Sequence, residues 1–100
     1  MEKRKAHYDL EKVKAEVLKR GMDAFTRTAK DNARNLGLDE VATLAVVMGL
    51  QSQMLLKSMT SNADHHVWQD VYLAPYSDEK IAYIKVTLQA GATVIQFKEK

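Results

Sequence analysis

The sequence predicts an α+β domain with about three N-terminal helices packed on one face of an antiparallel sheet. Three observations predict it: helical spacing of apolar residues in the first half, period-two alternation in the second, and turn-forming segments between the runs. Helices first and hairpin-linked strands after is the order expected of a two-layer α+β fold. At 100 residues the chain makes one domain, 1–100, with a modest core, because a chain this size buries roughly 60–65% of its unfolded surface.

Asp9 is placed to cap a first helix whose apolar positions Leu10, Val13, Val17 and Leu18 form one face, with Gly21 as its stop. Thr26 or Thr28 caps a second helix through Ala29, Ala33 and Leu36, ended at Asn35-Leu36-Gly37. Asp39 caps a third, Glu40 to about Leu50, rich enough in Val, Leu and Met to be mostly buried.

Strands are expected at Met54 to Thr60, Val67 to Leu73, Lys80 to Gln89 and Ala92 to Glu99. Turns are expected at Ser61 to Asp64, at Ala74 to Asp78 around the single Pro75, and at Ala90-Gly91. In the third strand Ala82, Ile84, Val86 and Leu88 alternate with Tyr83, Lys85, Thr87 and Gln89. In the fourth, Ile95 and Phe97 alternate with Val94, Gln96 and Lys98. One set faces the helices, and the other, with Tyr83, Lys85, Gln96 and Lys98, lies on an open face. A hairpin through Ala90-Gly91 makes Tyr83 and Lys98 cross-strand neighbours. Gln69 falls into register with Val67, Val71 and Leu73 rather than with Asp70 and Tyr72. That strand therefore has either a bulge or two partly buried faces. Trp68 is expected to anchor the core rather than serve as a base-stacking platform, and Met48, Met54 and Met59 to fill it.

Composition narrows the chemistry. There is no cysteine, which excludes disulfides, thiol catalysis and thiolate zinc sites and fits a reducing compartment. No stretch resembles a signal peptide or membrane span, so a cytoplasmic protein without a membrane partner is expected. The net charge is only +2, yet Lys3, Arg4, Lys5, Lys12, Lys14, Lys19 and Arg20 crowd the first twenty positions. Such a patch can attract polyanions, but from charge alone a solvated helix face with basic tails is the favoured account. His65 and His66 are adjacent and would face opposite ways on a strand, which disfavours a metal site.

The segment Lys57-Ser58-Met59-Thr60, then Asp64-His65 followed by Trp68-Gln69-Asp70-Val71-Tyr72, and the closing Phe97-Lys98-Glu99-Lys100 resemble the MqsR toxins. So do the opening Met1-Glu2-Lys3-Arg4, with His7 close behind, and Leu36-Gly37-Leu38. The blocks occur in the family's order across the whole chain and are weakest between Gly21 and Gln53. The resemblance implies a curved sheet related to the RelE and YoeB toxins and a metal-independent, ribosome-independent cleavage of single-stranded mRNA at short GC-containing sites. It implies a cognate MqsA-like antitoxin, with operator DNA bound only through the antitoxin complex and any zinc carried by the antitoxin. No cofactor is implied for this chain. The family's toxicity residues carry over onto Lys57, Gln69, Tyr83 and Lys98. His65, Lys85, Gln96 and His7 are the further candidates for contacting RNA. Two departures stand out: Leu56 replaces the aromatic that precedes the KSMT lysine, and Asp78 to Ala82 differ from the family pattern.

Metal-free RNA cleavage has three tasks: removing the 2′-hydroxyl proton, offsetting charge on the phosphoryl oxygens, and protonating the leaving oxygen. Lysines suit the second. A tyrosine can donate a hydrogen bond, move a proton or stack on an unpaired base. Gln69 can hydrogen-bond phosphate or a base edge but does not titrate. The competing readings are a catalytically impaired toxin-fold module that binds nucleic acid or protein, and a ribosome-dependent nuclease.

Overall fold

The computed structural model describes residues 1–89 and 92–100. The Ala90-Gly91 turn lies outside the described residues. The order is a short strand β1 (Glu2–Lys3), helices α1 (Leu10–Arg20), α2 (Arg27–Asn35) and α3 (Glu40–Met48), then strands β2 (Leu55–Thr60), β3 (Trp68–Ser77), β4 (Lys80–Gln89) and β5 (Ala92–Glu99). The strands pair antiparallel in sequence order, so the chain adopts the expected α+β class. No helix among the described residues is long and apolar enough to cross a membrane.

Local chemistry sets the helix ends. The Asp9 side chain accepts from the Glu11 and Lys12 amides, that of Asp39 from Ala42, and Thr26 rather than Thr28 caps α2 through Ala29. Gly37 follows α2 with φ of 84°, a left-handed geometry that a side chain would strain. Helix α3 stops at Met48, short of Leu50, and a 3-10 turn at Ser52–Met54 delays β2 to Leu55.

Val13 and Val17 of α1, Phe25, Ala29 and Ala33 on and before α2, and Val47 and Leu50 at α3 pack against Tyr72, Ile84, Val86, Ile95 and Phe97. Leu18 does not join them: it is 75% exposed. One residue past Val17 rotates a helical side chain by about 100°, off the narrow buried stripe. Leu18→Lys is therefore expected to change stability by less than about 0.5 kcal/mol in urea unfolding, whereas Val17→Ala costs about 2 kcal/mol. Met48 and Met54 pack on the core as expected. Met59 does not; it pairs with Gln69 on the opposite face.

Each sheet edge is partly covered, which limits unwanted strand addition. At one edge β1 pairs with β2, Glu2 opposite Met59 and Lys3 opposite Ser58. At the other, three alternate carbonyls of β5 find donors: Arg20 Nη1 reaches Thr93 O at 2.8 Å, Thr26 N reaches Ile95 O at 3.0 Å, and Asn32 Nδ2 reaches Phe97 O at 2.9 Å. Helix α2 thus runs along the edge of the sheet, while α1 and α3 cover its face.

Strand β3 is longer than its pattern suggests. It continues through Pro75, which pairs with Ile81 and is not in a turn; the turn is Asp78-Glu79, with Glu79 at φ 59°. Strand β2 begins opposite Tyr72, so beyond that point one side of β3 is an edge, where a missing N–H is tolerated. The grouping of Gln69 with Val71 and Leu73 is correct, but theirs is the open face. Asp70, Tyr72 and Ala74 face the helices, and Val71 on the far side is still fully buried. The bulge lies in β2, between Leu55 and Lys57.

Trp68 is half-buried and stands outside the core. It holds the N-terminal segment: the His7 ring stacks on it at 5.2 Å, Lys3 Nζ lies 4.2 Å from its centre, and Tyr8 Oη donates to its carbonyl at 2.7 Å. Beneath this stack the buried Asp70 side chain accepts from the His7 and Tyr8 amides and from Ser58 Oγ. Burial, followed by the nearby Asp70, pushes the Tyr72 phenol up to about 12.

Candidate active site

Period-two geometry and pairing register decide which polar side chains meet on the open face. Tyr83 of β4 is directly opposite Lys98 of β5 and Leu73 of β3. The next row runs Lys57, Val71, Lys85, Gln96 across β2 to β5, and Gln69 follows beside Met59. All six sequence-predicted strand residues therefore share one face.

Four of them also share a hollow. Tyr83, Lys85, Gln96 and Lys98 line a cavity of about 350 Å³, closed on the far side by Thr26, Thr28, Ala29 and Asn32 at the start of α2. Lys98 Nζ lies 5.1 Å and Lys85 Nζ 5.9 Å from the centre of the Tyr83 ring, cation–π distances. Two ammonium groups around one phenol concentrate positive charge where a phosphate could enter, in a partly enclosed site where that charge is less screened.

Lys57 and Gln69 lie outside the hollow, on the same face. Lys57 Nζ pairs with Glu2 Oε1 at 2.9 Å. The Glu2 hydrogen bond, then its charge and more weakly the Tyr83 phenol, raise the Lys57 ammonium above its usual range. The same contact lowers the Glu2 carboxyl. Lys57 thus suits the role of fixed charge rather than of proton acceptor.

The two histidine candidates are elsewhere. His7 sits with Trp68 on the helix side of the sheet, its amide bound to Asp70 and its Nδ1 accepting from Lys3 Nζ at 3.0 Å. His65 is exposed on the turn between β2 and β3, where neighbouring His66 bonds Asp64 and lowers its carboxyl. Among the described residues no three His, Asp or Glu side chains gather as a metal site requires. Leu56 is 36% exposed at the bulge before Lys57.

Sequence reasoning gave no site role to Glu2, which pairs with Lys57, or to Thr28 and Asn32, which line the hollow. Glu2 lay within a family-like block that gave it no role. Thr28 and Asn32 had no signal, since nothing in helical periodicity indicates that α2 runs along β5.

A small antiparallel sheet with lysines and a tyrosine around an open hollow is the kind of basic site that suits an anionic ligand. The model of the family described as motility quorum-sensing regulator, toxin of MqsA, matches residues 5–99. The chain is also 39% identical to the mRNA interferase toxin MqsR of Escherichia coli (strain K12) over 100 residues, the full length of both. The chain belongs to this MqsR toxin family.

Proposed function

We propose that the protein is the toxin of a toxin–antitoxin pair and an mRNA interferase, an endoribonuclease that cuts single-stranded mRNA by attack of a ribose 2′-hydroxyl on its own phosphate. The P–O5′ bond breaks, leaving a 2′,3′-cyclic phosphate and a 5′-hydroxyl end. The observation that carries this reading is the Tyr83–Lys98 pair, with Lys85 beside it, in an open hollow on the sheet of a chain so similar to an mRNA interferase toxin.

Lys98 and Lys85 offset charge growing on the phosphoryl oxygens, and Lys57, held by Glu2, adds charge from the neighbouring row. Tyr83 donates a hydrogen bond or moves a proton at the reacting oxygens. Gln69 holds the strand of RNA that continues past Lys57. Lysine side chains supply positive charge at the site, and cleavage without a metal, a cofactor or the ribosome is what the family resemblance implies. Cleavage at GC-containing sites rests on the family resemblance alone. The cognate partner is an MqsA-like antitoxin, and operator DNA is bound through that complex.

The test is a defined single-stranded RNA incubated with the purified protein in EDTA, with both product ends mapped. Expected are 5′-hydroxyl and cyclic phosphate ends. A folded sample that leaves the RNA intact overturns the reading. Salt-dependent binding without products points instead to a non-catalytic module, a reading that the altered base-reading position Leu56 keeps in play. Cleavage only on ribosomes points to the third reading.

A further inference from the structure

The hollow has a second wall that the cleavage chemistry does not use, and the geometry points to it as a pocket for one unpaired nucleobase read by Asn32 and Thr28. The inference deepens the nuclease reading and rests on it for the placement of the phosphate.

At about 350 Å³ the cavity is at the small end of ligand sites, suited to one nucleotide and not to a duplex. Its floor and walls combine what recognition of a single unstacked base needs: an aromatic face from Tyr83, apolar surface from Phe97 and Ala29, and polar groups on the opposite side. Asn32 is the informative member. Its Nδ2 donates to Phe97 O at 2.9 Å, which fixes the amide orientation and leaves Oδ1 as an acceptor with no partner among the described residues. Because the amide is anchored to a strand edge, this acceptor cannot rotate into a donor, as the exposed Gln96 amide can. A fixed acceptor favours a base that presents an exocyclic amine and opposes one that presents a carbonyl at the same place. Thr28 is exposed, makes no side-chain hydrogen bond among the described residues, and adds an adaptable hydroxyl beside it. Lys85 and Lys98, on the sheet wall, place the phosphate next to the base.

The test uses the full chain and a set of short 2′-O-methyl RNAs, which cannot be cut, differing at one position. Binding is followed by backbone amide NMR. The expected result is that the Thr28, Asn32 and Gln96 amides shift, and that oligomers with an exocyclic amine at the varied position bind about tenfold tighter than those with a carbonyl. Asn32→Ala flattens that preference, while Thr28→Val, which disturbs no structural bond, narrows it without changing the melting temperature. Still signals at Thr28 and Asn32 overturn the pocket. So does an equal loss of affinity for every oligomer in both variants, the signature of a purely structural role. Should wild type bind and discriminate but cut no RNA, the nuclease reading falls and the base pocket stands.

Discussion

Tyr83→Phe is expected to lower single-turnover cleavage of a short RNA by roughly 10²–10³-fold with little change in binding. Lys98→Met is expected to lower it about 100-fold while also weakening binding. The first change deletes one hydroxyl and keeps the ring against which the Lys98 and Lys85 ammonium groups rest. Loss of rate without loss of affinity then assigns the hydroxyl to the reacting oxygens, since the ring that can stack on a base is still present. The second keeps the length and apolar stem of the side chain and removes its charge, so the phosphate loses a partner before and during reaction. Tyr83 is half-buried and Lys98 exposed, so neither change should move the melting temperature by more than a few degrees. Rates within threefold of wild type in both variants would remove this pair from the chemistry.

That pair was legible in the sequence for a simple physical reason. Strand side chains alternate strictly, so Ile84 and Phe97 going inward sends Tyr83, Lys85, Gln96 and Lys98 outward, and the antiparallel register of β4 and β5 sets Tyr83 opposite Lys98. Helix ends were equally legible, because Asp9, Asp39 and Gly37 act on their own turns. What could not be read depended on contacts between distant segments. Trp68 has the composition of a core residue, yet the N-terminal segment folds back to give it His7 and Lys3 as partners at the sheet margin. Pro75 signals a turn locally and is tolerated in a strand only because β2 ends short of it. Thr28 and Asn32 reach the site because β5 needs donors along its free edge, a requirement of the assembled sheet and invisible in α2 alone.

Asp70→Ala is expected to destabilise the fold by about 3 kcal/mol, and Asp70→Asn by less. Asp70 is 1% exposed, and its carboxyl oxygens accept from the His7 amide at 3.0 and 3.1 Å, the Tyr8 amide at 2.9 Å and Ser58 Oγ at 2.6 Å. Alanine strands all three donors in a partly buried place, where each unsatisfied group costs about 1–3 kcal/mol less whatever water recovers. Asparagine keeps one acceptor and so part of the set. For a domain of this size, about 3 kcal/mol corresponds to a drop in melting temperature of roughly 15 °C. The consequence extends to the open face. The segment that Asp70 anchors carries β1, and β1 carries Glu2, whose carboxylate holds the Lys57 ammonium in place at 2.9 Å. Freeing that segment is therefore expected to lower cleavage more than binding of long RNA, even at a temperature where the variant is folded. An unchanged melting temperature in Asp70→Ala would show that the N-terminal segment is held by the Trp68 stack and its pairing with β2, and not by this buried side chain.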